Sequence, residues 1–140
     1  MSFKCAKYQE PNGAANTAIE SAVLELYVDE VETGTVTAQV KGEPTDTGAF
    51  NDTYGQLKSR ARTTSSANWN IGGSGAASGT KVTSTDISPV IQEIVSHGNW
   101  ATSKAITLFF TRASGTGSRT FQSFEGVPTQ SAKLKITYRN

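Results

Sequence analysis

The sequence predicts an all-β domain with one short helix, and three observations support this fold class. Apolar and polar residues alternate through several short segments, which is the pattern of strands with one buried face. Gly, Ser and Thr are concentrated between these segments, where turns are expected. One segment, at about residues 87–97, has apolar residues at helical spacing. Together these patterns predict a single β-sandwich domain over residues 1–140, with a jelly-roll arrangement of its short strands.

Two strands are predicted in the first third of the chain. Their apolar faces fall at alternate positions, at Ala22, Leu24, Leu26 and Val28 in the first and at Val36, Ala38 and Val40 in the second. Between them, Glu32-Thr33-Gly34 predicts a hairpin turn. Nearer the start, Phe3 and Cys5 alternate on a further strand face. Cys5, the single cysteine, is interpreted as a small buried side chain, with a reactive or cross-linking thiol as the alternative.

The C-terminal third repeats the alternating pattern. Ile106, Leu108 and Phe110 share one face of a predicted strand, and the aromatic Phe109 on its other face predicts cover on both sides. A turn at 114–117 leads into a further predicted strand at 119–124. In the last strand the inward positions are Ala132, Leu134, Ile136 and Tyr138, and the outward ones are Lys133, Lys135, Thr137 and Arg139.

The predicted helix has its own start and stop signals. Asp86 or Ser88 can accept hydrogen bonds from the first N–H groups, and Pro89 suits the first turn, where its missing donor is not needed. Gly98 predicts the end of the helix. The stretches 43–67 and 72–80 are predicted to be irregular, because the first is polar and the second is dominated by Gly, Ala and Ser.

The sequence offers little material for catalysis, and we expect no enzyme activity. His97 is the only histidine and falls in the last turn of the predicted helix, where a donor to the final carbonyls is favourable. A Ser-His-Asp or Cys-His arrangement is therefore not indicated. The glycine-rich stretch is not a phosphate loop, because Thr80 separates Gly79 from Lys81. A formal net charge of +1 provides no general attraction to nucleic acid or to an anionic membrane.

No cofactor is predicted. One histidine and one cysteine are too few for a zinc site. Calcium is an alternative, because carboxylates from several loops could converge on it, namely Asp29, Glu30, Glu32, Asp46 and Asp52. No Asp-x-Asp-x-Asp-Gly spacing supports such a site.

Five residues are candidate contacts with a ligand or partner. Trp69 and Trp100 have small or polar neighbours, so their rings would be platforms for a sugar or a protein if exposed, and would fill the ends of the sandwich if buried. Tyr54 is the third aromatic candidate. Arg60 and Arg62 alternate in a basic cluster. We interpret that cluster as a solvated face, or as arginines paired with carboxylates at a subunit contact, rather than as a nucleic-acid site.

Several segments, taken in order along the chain, resemble the segments of a known kind of domain. They are Ile19–Leu26, Gly42-Glu43, Phe50, Arg60–Thr64, Ala67–Trp69, Asp86–Val95, Gly98–Ala101 and Lys133–Tyr138, and the helix followed by Gly98-Asn99-Trp100 is the most specific of them. This series resembles the jelly-roll modules of large bacterial and marine surface proteins. The resemblance implies a fold like that of carbohydrate-binding modules, which often accompany adhesion or polysaccharide-degrading domains. No binding residues are carried over from it.

Two functions are expected from these observations. The first is a non-catalytic virion structural or accessory protein of a bacteriophage, either a capsid decoration (cement) protein or a tail accessory, made in the host cytoplasm. It would bind a capsid or tail protein and associate with itself, for example as a trimer; the absence of a secretion signal in the first residues favours it. The alternative is a carbohydrate-binding module that recognises a polysaccharide, extracellular and part of a larger secreted protein. Neither membrane insertion nor nucleic-acid binding is expected.

Overall fold

The structure is a computed structural model that describes residues 2–3, 18–45, 48, 54–101 and 104–139. The strands of these residues are β1 (Ser2–Phe3), β2 (Ala18–Tyr27), β3 (Thr37–Gly42), β4 (Ala67–Asn70), β5 (Lys81–Thr83), β6 (Ile106–Ser114) and β7 (Lys133–Arg139). The helices are α1 (Tyr54–Ser59), α2 (Ser88–Val95) and a 3-10 helix at Pro128–Gln130. Cys5 and Phe50 lie outside the described residues.

The strands form two antiparallel sheets. The larger sheet has the order β1-β6-β3-β4, and the smaller has the order β5-β2-β7. Most regular elements are therefore strands, which confirms the prediction of an all-β fold. The jelly-roll arrangement is a finer statement and stays a prediction.

One apolar core joins the inner faces of the two sheets. The smaller sheet contributes alternate residues of β2, and the larger sheet contributes Ala38 and Val40 of β3, Trp69 of β4, and Ile106 and Leu108 of β6. This alternation is the one predicted, because successive side chains of a strand point to opposite faces. Burying each large aliphatic side chain contributes about 1.5–3 kcal/mol, so these faces fix the strand register.

Helix α2 covers the core at the end of β3 that carries Gly42. Its buried residues Val90, Ile91 and Ile94 pack against β2 and β3. Gly42 permits this approach, because a Cβ at that position would lie 2.5 Å from Ile94 Cδ1. The helix predicted at about 87–97 is confirmed with bounds of 88–95, since the chain leaves the helix at Ser96, before Gly98.

Asp86 ties the start of α2 to the smaller sheet. Its Oδ1 accepts hydrogen bonds from the N–H groups of Ser88 at 3.0 Å and Ala22 at 2.9 Å. Burial acts to raise the pKa of Asp86, but these bonds favour the carboxylate and hold the pKa below its ordinary value. Asp86 therefore does the predicted work of capping and also joins the helix to β2.

Three predictions differ from the structure. The hairpin prediction at Glu32-Thr33-Gly34 is wrong, because β2 and β3 lie in different sheets and the connection crosses between them. The strand predicted at 119–124 is not formed. Among the described residues, this segment has only an isolated bridge between Phe121 and Val28. Helix α1 lies in a stretch that was predicted to be irregular, so the chain has a second short helix.

The outer face of the larger sheet is also covered. Phe109 is buried although it lies on that face, as the aromatic residue at an outward position of β6 predicts. Thr107, the next outward residue, is buried as well. The segment around α1 supplies part of this cover, because the Arg62 guanidinium carbon lies 3.5 Å from the centroid of the Phe109 ring.

Candidate functional site

Trp69 is buried in the structure. Its side chain lies on the inner face of β4, beside Ala38 of β3, and 2% of the residue is exposed. Its ring lies edge-on to Phe110 and nearly parallel to Phe121, with a distance of 6.5 Å between ring centroids in both pairs. This geometry agrees with the interpretation of Trp69 as a buried ring that fills the core. The ring does not offer an open face to a sugar.

The other two aromatic candidates are Trp100 and Tyr54. Trp100 follows α2 and is half-buried against the core, with its backbone N–H donating to the His97 carbonyl at 2.8 Å. Tyr54 is the first residue of α1, and its side chain lies outside the described part of the structure. Of the two described rings, Trp69 is buried and Trp100 half-buried, so neither is an open platform.

Arg60 and Arg62 make their contacts within the chain. Arg60 Nη1 lies 3.1 Å from Glu43 Oε2, and both side chains are nearly withdrawn from water, at 9% and 1% exposure. Arg62 lies over the Phe109 ring, which is the geometry of a cation–π contact. The interpretation as arginines paired with carboxylates holds for Arg60, although its carboxylate belongs to the same chain.

The residues after Arg62 fasten this segment to the sheet and to α2. Thr63 is buried; its hydroxyl accepts from the Gly42 N–H at 2.9 Å and donates to the Ser65 carbonyl at 2.8 Å. Glu93 of α2 accepts from the backbone N–H groups of Thr64 at 2.8 Å and Ser65 at 2.7 Å. The hydrogen bond from Ser65 is the main cause that holds the pKa of Glu93 below its ordinary value, with further help from Thr64.

Acid is expected to weaken this attachment. A carboxylate whose pKa is lowered by folding stabilises the fold above its unfolded pKa of about 4.5, and this contribution is lost as the pH falls through the lower folded pKa. Glu25, Glu32 and Asp86 also have lowered pKa values, so they act in the same direction. We therefore expect the free energy of unfolding, measured by urea titration, to fall between pH 5 and pH 3.

The variant Glu93→Gln tests how much of the acid-dependent loss of stability is due to the Glu93 carboxylate. Its amide has one oxygen, which can accept from only one of the Thr64 and Ser65 N–H groups, and it carries no charge. We therefore expect lower stability than the natural chain at pH 7 and a weaker loss on acidification. Glu125→Gln, at an exposed loop position, is the matched control. If the free energy of unfolding of Glu93→Gln fell with acid as steeply as that of Glu125→Gln, the proposed contribution of Glu93 would be contradicted.

A cavity of about 260 Å³ lies between the two sheets, at the end of β3 away from α2. Its walls are mainly apolar and come from both sheets, from Leu26, Val36, Ala38, Trp69, Ile71, Phe110 and Phe121. Two arginines, Arg112 and Arg119, complete the lining. Because Arg112 is an exposed residue, the cavity reaches the surface beside it. We name it the inter-sheet cavity.

The two arginines of the inter-sheet cavity differ in how they are held. Arg119 is fixed by backbone carbonyls: its Nε lies 2.9 Å from the Gly72 oxygen and its Nη2 lies 2.8 Å from the Gly34 oxygen. Arg112 donates from Nη2 to the Gly117 carbonyl. Among the described residues, neither arginine forms a salt bridge.

Sequence reasoning missed this cavity, although part of it could have been found. The alternation Ile106, Leu108, Phe110 extends by one step to Arg112, and the register places Arg112 beside Ala38. A charged residue at an inward position of a strand is a signal for a functional or capping role. Arg119 and Phe121 belong to a loop, so no periodicity could have placed them there.

Strand β7 forms one edge of the smaller sheet. Within the described residues it pairs with β2 alone, from Ala18↔Arg139 to Glu25↔Lys133. Its inward residues Leu134 and Ile136 pack against the core but stay half-buried. At seven residues it is longer than the other edge strands described, β1, β4 and β5, which have two, four and three.

Glu25 organises the outer face of the smaller sheet. Its Oε1 lies 2.7 Å from Lys135 Nζ and 3.2 Å from Lys81 Nζ, which joins β2 to both neighbouring strands. The hydrogen bond from Lys135 is the main cause that lowers the pKa of Glu25, and Lys81 adds to it, against a contribution from burial. Lys133 stands 5.9 Å from the centroid of the Tyr27 ring on the same face.

The predicted calcium ligands are only partly described. Asp46 and Asp52 lie outside the described residues, while Asp29 accepts from Gln122 Nε2 at 2.6 Å and Glu32 accepts from the Ser118 hydroxyl at 2.5 Å. In the part of the chain that is described, no three His, Cys, Asp or Glu side chains are grouped to hold a metal ion. His97 is exposed just beyond α2. No helix of the described residues is long and apolar enough to cross a membrane.

Comparison with known proteins finds no matching family model, no matching curated protein and no matching solved structure. The resemblance to jelly-roll modules of surface proteins therefore rests on the sequence patterns alone and stays a prediction.

Proposed function

We propose that this protein is a non-catalytic jelly-roll β-sandwich that attaches to an assembled protein surface, as a capsid decoration (cement) protein or tail accessory of a virion. The single observation that carries the proposal is the edge of β7. Among the described residues β7 pairs on one side only, and a long edge strand of this kind is a template for a strand of another chain. The proposed partner is a capsid or tail protein, with self-association of the attached copies.

The side chains of β7 suit strand pairing. Its inward residues are apolar and half-buried, so an added strand would complete their burial. No proline interrupts the strand. Lysines are common guards of free edges, but Lys135 is held on the outer face by Glu25 and does not point into the core.

The burial of Trp69 argues against the carbohydrate alternative in the form first expected, since a sugar platform needs an open ring. One observation supports the carbohydrate alternative. Phe124 is 66% exposed in a polar loop and is a ring of the kind that stacks on a sugar face. A glycan array with the natural chain and Phe124→Ala separates the two: glycan binding that is lost in the variant would favour the carbohydrate function.

The attachment proposal is tested by mass and by hydrogen exchange together. Light scattering after size exclusion gives the mass of the purified chain, and exchange measured at low and high protein concentration gives the protection of the β7 amides. We expect a defined oligomer, with protection at 133–139 that rises with concentration. The central strand β2 is the internal control, because it pairs within the chain with β7 from Ala18 to Glu25 and with β5 from Glu25 to Tyr27 at any concentration.

A pair of variants locates the contact on β7. Ile136→Lys places a charge at an inward position of the edge and is expected to abolish the concentration-dependent protection. Thr137→Lys adds the same charge at the adjacent outward position and is expected to retain it. A chain that stays monomeric, shows no such protection, and does not bind purified capsid or tail particles would rule out the proposed function.

A further inference from the structure

We propose that the inter-sheet cavity is a binding site for a small organic anion, a carboxylate carried on one aromatic ring or a short alkyl chain. The apolar body would lie between the sheets against Trp69, Phe110 and Phe121, and the carboxylate would meet Arg112 at the surface. This site is separate from the β7 edge and is independent of the proposed attachment function.

The size of the cavity selects small ligands. Its volume of about 260 Å³ exceeds the roughly 150 Å³ of an engineered apolar cavity that holds one benzene. It is smaller than the roughly 300–1,000 Å³ of pockets for drug-sized molecules. One ring with a short side chain, or a short alkyl chain, is therefore the scale of ligand that fits.

The chemistry of the walls selects an apolar body. Aromatic and aliphatic side chains of the two sheets and of their connecting segments make up the lining apart from the two arginines. Water in such a space has few hydrogen-bonding partners, so an apolar group that replaces it is favoured. The aromatic rings offer edges and faces to a ligand ring, an arrangement that adds to the gain from burial.

Charge selects an anion. The backbone carbonyls around Arg119 orient its guanidinium, and among the described residues Arg119 forms no salt bridge. Arg112 has Nε and Nη1 in addition to the Nη2 that donates to Gly117, and a guanidinium presents its donors as a fork that matches a carboxylate. The pKa of Glu32 is lowered mainly by the Ser118 hydroxyl and also by the nearby charge of Arg119, so Glu32 offsets part of the Arg119 charge. Among the described residues no salt bridge joins Glu32 to Arg112, and Arg112 is therefore the proposed partner of the carboxylate.

The two tryptophans provide a direct readout. Trp69 lines the cavity, whereas Trp100 follows α2 and is not part of the lining. In a ¹H–¹⁵N correlation spectrum of the natural chain we would titrate benzoate, 3-phenylpropionate and hexanoate. We expect at least one of these probes to shift the Trp69 indole resonance saturably and to leave that of Trp100 in place.

Three controls test the class of ligand. The neutral amide of the best probe is expected to bind about tenfold or more weakly, because it loses a charge-assisted hydrogen bond. Arg112→Gln is expected to weaken the acid by a similar factor, while Arg139→Gln, an exposed arginine paired with Glu20, leaves it unchanged. Ala38→Leu fills the cavity from its wall and is expected to abolish binding in a chain that gives a folded spectrum.

Each of the following results overturns the proposal. They are the absence of any Trp69 shift with all three acids at millimolar concentration, equal affinity for the acid and its amide, and equal affinity in Arg112→Gln and Arg139→Gln. None of them bears on the oligomer mass or on β7 protection, so failure of this site is distinguishable from failure of the attachment function.

Discussion

Replacing Trp69 by alanine is expected to lower the free energy of unfolding by about 3–5 kcal/mol. The side chain is the largest of the buried core side chains described, and it packs against Phe110 of β6 and Phe121 of the loop after β6. The variant would enlarge the space that the inter-sheet cavity already occupies, so the surrounding strands cannot close over the lost ring. Urea denaturation followed by circular dichroism measures this loss.

Trp100→Ala is the matched control for that measurement. The same atoms are removed, but from a half-buried position after α2, so we expect a clearly smaller loss of stability. If Trp100→Ala proved as costly as Trp69→Ala, the central position of Trp69 in the core would be contradicted.

The second large effect is expected at the pair of Arg60 and Glu43. Arg60→Met removes the cation and leaves the Glu43 carboxylate buried beside it, and breaking such a pair costs about 3–5 kcal/mol. The double variant Arg60→Met with Glu43→Leu removes both charges. We expect it to be more stable than Arg60→Met alone, because the Glu43 carboxylate is no longer buried without the Arg60 guanidinium.

Thermal or urea unfolding of the two single variants and the double variant gives the coupling between the residues. Arg139→Met is the control, since Arg139 and Glu20 form an exposed pair that contributes only about 0–1 kcal/mol. Losses that simply add in the double variant would show that the two side chains do not interact as the structure indicates.

Local patterns were enough to predict the strands and the main helix. In β6 and β7 the alternation of apolar and polar residues predicts which positions face inward, because a strand with one buried face has no other arrangement. Phe109 broke that alternation, and it correctly indicated cover on the second face. Pro89 and Asp86 placed the start of α2 for equally local reasons.

The features that the sequence did not predict depend on which strands lie next to each other in the fold. Glu32-Thr33-Gly34 has the composition of a hairpin turn, but the two flanking strands join different sheets, and no local signal distinguishes those cases. Arg60 and Arg62 have the composition of a basic surface, yet Glu43 and Phe109, their partners, come from distant parts of the chain. The inter-sheet cavity likewise needs the register of β3, β4 and β6.

The pairing of β2 with β7 also determines when the chain can fold. Glu25 and Lys135 are 110 residues apart, so the central strand of the smaller sheet lacks one of its neighbours until β7 has been made. A ribosome that adds about 5–20 residues per second needs several seconds to cover that distance. During this interval the side of β2 that will pair with β7 can form non-native contacts. The pairing of β2 with β7 also closes a long loop. The domain is therefore expected to fold only after residues 133–139 have been made, at the millisecond-to-second pace of proteins built on distant strand pairs.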